Sequence, residues 1–170
     1  KTLPFGDVEK GSWYYDGVEY ASETGLMNGT SRTTFSPNAD TTRGMIVTIL
    51  ARLEGVSTSG TPWYAAGQRW VMANGVSDGT GMERSITREQ LAAMLCRYAK
   101  LCGYDVTADV ASIQTFTDYD TVSAYAREAM AWCVENGLIQ GSSGRLAPRE
   151  NASRAQVAAI LTRYAQKIAK

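Results

Sequence analysis

The chain has 170 residues, of which 44% are hydrophobic and 20% charged, a composition typical of a folded globular protein. Seventeen Lys and Arg residues balance seventeen Asp and Glu residues, and this neutrality argues against binding to nucleic acid or an anionic membrane. The apolar runs are too short to span a bilayer, so we expect no membrane insertion. The sequence has no His, which excludes His-based nucleophile pairs and the usual zinc sites and argues against most enzyme classes. No cluster of acids suggests calcium, and we expect no cofactor.

The three cysteines, Cys96, Cys102 and Cys133, form no Cys-x-x-Cys pair. They therefore provide no zinc or thioredoxin-type motif, and an odd number leaves at least one thiol unpaired within the chain. We interpret them as small apolar core residues, with one disulfide as the alternative.

Taken in chain order, the sequence repeats two short elements three times. The first reads Gly, aliphatic, any residue, amide or acid, Gly, and is found at 25–29, 75–79 and 137–141. The second is a Thr-Arg or Ser-Arg pair at 42–43, 87–88 and 153–154. Nine residues after the arginine of each pair comes a second arginine, Arg52, Arg97 or Arg163. This register predicts three copies, residues 1–60, 61–110 and 111–170.

The segment before each double-glycine element is predicted to be a helix. Apolar and aromatic residues recur there at helical spacing, with Tyr20, Trp70 or Trp132 five residues before the first Gly. That Gly lies where a helix C-terminus needs a left-handed residue. The second Gly closes a turn and is expected to have positive φ as well.

The segment after each Thr/Ser-Arg pair is the second predicted helix of a copy. Its apolar residues fall at positions i, i+3, i+4 and i+7 in all three copies. Thr42, Thr87 and Ser153 are suitable N-caps. Gln90 and Gln156, three residues after the last two caps, predict capping boxes there, whereas the first copy has Met at this position.

Each copy is therefore predicted to be helix, Gly-rich turn, loop and helix, with residues 103–115 as a connector. A helical hairpin of this size cannot bury its own apolar face, but three packed together can. We predict an all-α fold of three packed helix-loop-helix repeats.

Arg43, Arg88 and Arg154 each occupy the first position of a predicted helix, where the helix dipole disfavours a cation by about 0.3–1 kcal/mol. One explanation is structural, an ion pair with an acid of a neighbouring copy such as Asp7 or Asp118. The other is functional, an anion site in which free helix N–H groups and a guanidinium bind a carboxylate or phosphate. The residues alone leave both explanations open.

Four Trp and nine Tyr residues supply aromatic faces that can stack on sugar rings. We predict that Trp70 and Trp132 pack in the core. Trp13 and Trp63, near the starts of their helices, are predicted to be exposed and are candidates for sugar binding.

Several motifs together resemble the S-layer homology (SLH) family. The first copy contains Phe5-Gly6-Asp7-Val8, Trp13-Tyr14, the double-glycine element, Phe35-Ser36-Pro37 and Thr42-Arg43. The third copy repeats this order, from Phe116-Thr117-Asp118 to Ser153-Arg154-Ala155-Gln156. The segments that begin with Thr42, Thr87 and Ser153 resemble the family's Thr-Arg-Ala-Glu signature. The resemblance covers essentially the whole chain and suggests three tandem SLH motifs.

The resemblance implies a three-pronged spindle, a pseudo-trimer made by one monomeric chain. It implies a non-catalytic anchor at the bacterial cell surface, outside the cell. The implied partner is a secondary cell-wall polysaccharide, often with a pyruvate ketal on N-acetylmannosamine, held in grooves between the prongs. A ketal carboxylate is an anion that the three arginines could bind, which favours the functional explanation, an anion site.

The resemblance also implies site residues. The family's main ligand contact is the signature arginine, which corresponds to Arg43, Arg88 and Arg154. The groove-lining glycines correspond to Gly29, Gly79 and Gly141. The acid of Phe-x-Asp corresponds to Asp7 and Asp118, with either a structural or a groove role.

The second copy departs from the family pattern. Gly60-Thr61-Pro62-Trp63 replaces Phe-x-Asp, and Arg88 follows Gly79 by nine residues, against fourteen and thirteen in the other copies. The groove that depends on this loop is therefore in question. The signature acid is replaced by Met45, Gln90 or Gln156, which leaves each groove less negative and favours an anionic ligand.

Two other functions are compatible with parts of the sequence. The first is a protein-interaction or assembly module that uses the surface of the helical repeats. The second is a glycan hydrolase, which needs two carboxylates flanking the scissile bond. Asp7, Asp78 and Asp118 show no such pairing in the sequence, which argues against the hydrolase.

Overall fold

The computed structural model describes residues 3–169. Its α-helices are α1 (Tyr15–Glu23), α2 (Arg43–Leu53), α3 (Ala65–Ala73), α4 (Arg88–Leu101), α5 (Arg127–Glu135) and α6 (Arg154–Lys167). Short 3₁₀ helices lie at Val110–Ile113, Tyr119–Thr121 and Ala124–Ala126. Within residues 3–169 there is no β-strand, only isolated bridges, so the predicted all-α class is confirmed.

The helices α2, α4 and α6 begin at the predicted caps. The hydroxyls of Thr42, Thr87 and Ser153 each accept a hydrogen bond from the N–H three residues later. Gln90 and Gln156 return a bond to the backbone of their caps, so both predicted capping boxes are confirmed. Each cap satisfies helix N–H groups that would otherwise lack a partner.

The helices α1, α3 and α5 end before the predicted left-handed glycines, Gly25, Gly75 and Gly137. Gly79 and Gly141 also have positive φ, of 74° and 73°. The same prediction is wrong for Gly29, which lies outside that region. A Cβ on Gly29 would collide with the Phe5 ring and lie 2.6 Å from the Thr34 carbonyl oxygen, so close packing is what requires glycine there.

The helices pack in three pairs, α1 with α6, α2 with α3 and α4 with α5. In two of these pairs, a glycine lets the helix backbones approach closely. A Cβ on Gly17 would lie 3.0 Å from the Cα of Ala159, and one on Gly67 would lie 2.9 Å from the carbonyl oxygen of Val47. This close approach places the residues before α1 beside α6, and those before α3 beside α2.

Trp132 is buried in the core, as predicted, and Trp70 is partly buried and packs against the core. All three cysteine thiols are free. Cys133 is buried and Cys96 is half-buried, but Cys102 is exposed, so the prediction of core cysteines is wrong for Cys102.

Of the helices within residues 3–169, none combines the length and apolar character that crossing a membrane requires. In the same part of the chain, no group of three or more Cys, Asp or Glu side chains is placed to hold a metal ion.

Candidate functional site

Two grooves run along helices and bring predicted site residues together. The α6 groove has a volume of about 690 Å³ and is lined by one face of α6, the turn after α5, the start of α4 and the residue Trp13. The α2 groove has a volume of about 180 Å³ and is lined by α2, the turn after α1, the start of α6 and Trp63.

The two grooves contain the same residue types at corresponding sequence positions. In the α6 groove these are Trp13, Arg88, Gly141, Ile160 and Arg163. In the α2 groove they are Trp63, Arg154, Gly29, Ile49 and Arg52. Trp13 and Trp63 are 64% and 50% exposed, which confirms the prediction that these indoles are exposed.

The arginines that begin α2, α4 and α6 are called the signature arginines below. Each donates from Nε to a backbone carbonyl oxygen in a distant loop, at 2.8–2.9 Å. Arg43 reaches Thr80, Arg88 reaches Leu146 and Arg154 reaches Phe35. α2 is thereby tied to the loop before α4, α4 to the loop before α6, and α6 to the loop before α2. The arginines therefore have a structural role, through neutral carbonyls.

The first N–H groups of these helices are occupied, contrary to the expectation of free N–H groups. In α6, Arg154 N–H donates to Ala39 at 2.9 Å and Ala155 N–H to Pro37 at 2.8 Å. The first two N–H groups of α2 and α4 likewise donate to loop carbonyls. The third N–H of each helix donates to the cap hydroxyl. These backbone N–H groups are therefore not free to bind an anion, which leaves the guanidinium groups as the donors that the site offers.

The groove arginines carry positive charge without an ion-pair partner. Within residues 3–169, neither Arg88 nor Arg154 has a carboxylate within 4.0 Å. Burial lowers the pKa of both guanidiniums, partly offset by Glu150 near Arg88 and by Asp7 near Arg154. Arg154 is only 5% exposed and stacks on the Phe35 ring at 4.6 Å. An anionic ligand would compensate the charge that burial disfavours.

Asp7 and Asp118 hold the loops that form the groove walls. Asp7 accepts hydrogen bonds from the N–H groups of Phe35 and Ser36 at 2.9 and 2.8 Å. Asp118 accepts from the two corresponding N–H groups of the loop before α6, both at 2.8 Å. Burial alone would raise the pKa of each carboxyl, but these N–H donors lower it below its usual value. Within residues 3–169, neither acid forms an ion pair with a signature arginine, so the predicted structural explanation through such pairs is wrong.

The surroundings of Arg43 differ from those of Arg88 and Arg154. Arg43 Nη2 lies 3.4 Å from the Asp78 carboxylate, which belongs to the double-glycine turn itself. A Cβ on Gly79 would lie 2.5 Å from the Met72 sulfur, so this side chain covers the turn. Tyr125, at the position of the two groove tryptophans, is exposed. Neither of the two grooves includes Arg43 or Gly79.

The sequence analysis did not assign a role to the second arginines, Arg52, Arg97 and Arg163. Each donates from Nη1 to the carbonyl oxygen of the first aliphatic residue in a double-glycine turn, at 3.3, 3.5 and 3.1 Å. Arg52 and Arg163 also line the two grooves. Their constant spacing of nine residues was the available signal.

Glu89 was missed as well. Glu89 is 5% exposed, and its carboxylate accepts hydrogen bonds from Ser123 N–H at 2.8 Å and Ser123 Oγ at 2.6 Å. It thereby fixes the segment that leads into α5. Because the acid occurs in one copy alone, the repeat pattern gave no signal for it.

A sequence profile of the S-layer homology domain matches residues 4–44 and 115–158, together half of the chain. An endoglucanase of Bacillus sp. (strain KSM-635) is 27% identical over 185 residues, which cover 98% of this chain and 19% of the endoglucanase. An amylopullulanase of Thermoanaerobacterium thermosulfurigenes is 28% identical, over 92% of this chain and 9% of its own length. The surface-layer 125 kDa protein of Lysinibacillus sphaericus is 30% identical, over 55% of this chain and 10% of its own length. The chain thus spans less than a fifth of each relative.

Proposed function

Because this chain belongs to the S-layer homology domain family, whose members are non-catalytic modules for anchoring at the cell surface, we propose that it tethers a larger protein to the bacterial cell wall. The proposed ligand is a secondary cell-wall polysaccharide that carries pyruvate ketals. Binding is non-covalent and takes place outside the cell, in the α6 and α2 grooves.

We propose that the chain is built of three SLH motifs, residues 1–60, 61–110 and 111–170. Their arrangement in one monomeric chain is a pseudo-trimeric, three-pronged spindle. Two sets of contacts between the motifs support this proposal. The last helix, α6, packs on the first, α1. The contacts of the signature arginines run in a cycle, because Arg154 of the last motif binds Phe35 of the first.

The observation that carries the proposal is the repetition of one lining set, Trp, Arg, Gly and Arg, in two separate grooves. An exposed indole offers a face for a sugar ring, and a guanidinium offers charge-assisted hydrogen bonds to a carboxylate. Trp13 and Trp63 take the sugar face, while Arg88 and Arg154 bind the ketal carboxylate.

The remaining predicted residues shape these grooves. Gly141 and Gly29 let the turn pass close to the phenylalanine ring behind it, where a side chain would not fit. Asp118 and Asp7 hold the adjoining loops through backbone N–H groups. Their proposed role is structural.

We propose that the third motif interface does not bind ligand. The Asp78 carboxylate lies beside Arg43, where a ligand carboxylate would lie in the other two grooves. Met72 covers Gly79 in the same place. Asp78 of the chain itself thus pairs with Arg43 in place of a ligand carboxylate. The proposed roles of Arg43 and Gly79 are therefore structural.

The test is retention of the purified domain on bacterial cell-wall sacculi, before and after chemical removal of the non-peptidoglycan polymer. Retention that is lost with the polymer is the expected result. Arg88→Ala removes a charge-assisted contact of about 1.5–3 kcal/mol and is expected to weaken binding in the α6 groove roughly ten- to hundredfold. Arg43→Ala is the matched control, because Arg43 makes the same Nε contact to a loop carbonyl but lies outside both grooves.

Equal weakening by both variants would show that the arginines act only on the fold. Retention that survives removal of the polymer would contradict a polysaccharide ligand. Absence of retention together with self-association in solution would favour a protein-interaction module. Release of sugars from purified wall would contradict a non-catalytic role.

A further inference from the structure

We infer that the α6 groove contains a second anion-binding subsite, formed by Arg163. The ligand is then an acidic oligosaccharide of at least two sugar residues, with a second anionic group beyond the ketal carboxylate. This inference rests on the proposed function and specifies the length and charge of the ligand.

The first support is the position of Arg163 along the groove. Gln156, Ile160 and Arg163 line the α6 groove, which are positions i, i+4 and i+7 on one helix face. With a rise of 1.5 Å per residue, the backbone of Arg163 lies about 10 Å along α6 from that of Gln156. Arg88 lies at the other end, because its neighbour Thr87 pairs with Asn151 just before α6 begins.

The second support is the size and surface of the α6 groove. Its volume of about 690 Å³ lies in the range of sites for drug-sized ligands and exceeds the need of one sugar. Trp13, Arg88 and Arg163 all line this one space. A ligand that stacks on Trp13 and reaches both guanidiniums must extend over more than one ring.

The third support is the charge of Arg163. Nη1 donates to the Leu138 carbonyl oxygen at 3.1 Å, a contact that an uncharged donor would also satisfy. Arg163 has no carboxylate within 4.0 Å in residues 3–169. Burial lowers the pKa of Arg163, and no neighbouring acid offsets that effect. A half-buried cation without a counter-charge is suited to an anion supplied by the ligand.

Arg97 provides a matched control within the same chain. It lies at the same position of its helix and donates from Nη1 to the Val76 carbonyl oxygen at 3.5 Å. It belongs to neither groove. Arg163→Gln and Arg97→Gln therefore remove equivalent structural contacts, but only the first removes charge from a groove.

The experiment is calorimetric titration with two probes. One is the monosaccharide pyruvylated N-acetylmannosamine, and the other is an acidic oligosaccharide fraction released from the wall polysaccharide. Arg163→Gln is expected to bind the oligosaccharide roughly ten- to hundredfold more weakly, with unchanged affinity for the monosaccharide. Arg163→Lys is expected to retain part of the oligosaccharide affinity. Arg97→Gln is expected to match the parent with both probes.

Equal losses in Arg163→Gln and Arg97→Gln would overturn the subsite and leave a structural role alone. Unchanged oligosaccharide affinity in Arg163→Gln, with weakened binding in Arg88→Ala, would overturn the subsite and leave the proposed function intact. Failure of the parent domain to bind either probe would overturn both.

Discussion

Gly141→Ala is expected to destabilise the protein much more than Gly79→Ala, although the two glycines have the same place in the motif. Their φ angles are 73° and 74°, so the backbone strain on adding a Cβ is equal. The surroundings differ. A Cβ on Gly141 would lie 2.7 Å from the Phe116 ring and 2.9 Å from the Arg145 carbonyl oxygen, and neither can move freely. A Cβ on Gly79 would meet the flexible end of Met72, which can rotate away.

The left-handed conformation costs alanine about 1–2 kcal/mol, and the loss of freedom in the unfolded chain returns about 0.4–1 kcal/mol. Gly79→Ala is therefore expected to lose about 1 kcal/mol. Gly141→Ala adds overpacking of about 1–3 kcal/mol, for a total of about 2–4 kcal/mol. In a domain of this size each kcal/mol lowers Tm by about 2–4 °C.

Differential scanning calorimetry of the parent and the two variants measures this difference. A Tm lower by roughly 2–4 °C in Gly79→Ala, and by roughly 5–15 °C in Gly141→Ala, is the expected result. Equal shifts would refute the claim that close approach, rather than backbone conformation, requires glycine at this position of the groove wall.

Two further predictions concern the acids that hold loops in place, Asp118 and Glu89. Asp118 has a pKa below the usual 3.8, so its contribution to stability is present above pH 3.8 and is lost as the pH falls through the lowered value. Asp118→Asn is expected to be less stable than the parent at pH 7 but to change less between pH 5 and pH 2 in urea unfolding; parallel pH profiles would contradict this. Glu89→Ala leaves two partly buried donors of Ser123 unpaired and is expected to lose about 1–3 kcal/mol in urea unfolding, whereas Glu89→Gln retains one acceptor and loses less. Equal losses in the two Glu89 variants would mean that side-chain volume matters more than hydrogen bonding.

The helices and their caps could be predicted because they depend on residues close together in the sequence. Ser153 and Gln156, for example, are three residues apart, and the capping box requires no distant partner. Left-handed glycines after α1, α3 and α5 follow from helix termination in the same way. These features depend on local backbone physics, which a sequence pattern reports directly.

The contacts of the signature arginines could not be predicted, because their partners are backbone carbonyls. Every residue offers a carbonyl, so no side-chain pattern marks Phe35 as the partner of Arg154, 119 positions away. For the same reason the sequence did not indicate that loop carbonyls occupy the helix N–H groups. Gly29 differs from Gly79 and Gly141 in φ for a tertiary reason, since the Phe5 ring and the Thr34 carbonyl set its limits.

The contacts of the signature arginines also predict which groove binds ligand more tightly. Arg88 uses Nε for the fold, and neither of its Nη atoms has a hydrogen-bond partner within residues 3–169. Arg154 uses both Nε and Nη2 for loop carbonyls. Arg43 uses Nε for a carbonyl and Nη2 for Asp78. A guanidinium has more capacity for a ligand carboxylate when fewer of its N–H groups are already used.

The α6 groove is therefore expected to bind the acidic oligosaccharide more tightly than the α2 groove, since it is also larger and its arginine less enclosed. In calorimetric titration, Arg88→Ala should remove the tighter of two binding phases and Arg154→Ala the weaker. Folding is the natural control, because Arg154 makes two loop contacts and Arg88 one, so Arg154→Ala should lower Tm more. Arg88→Ala is thus expected to have the larger loss of binding, and Arg154→Ala the larger loss of stability. If the variant with the lower Tm also had the weaker binding, loss of structure alone would explain both measurements, and the ranking of the grooves would be wrong.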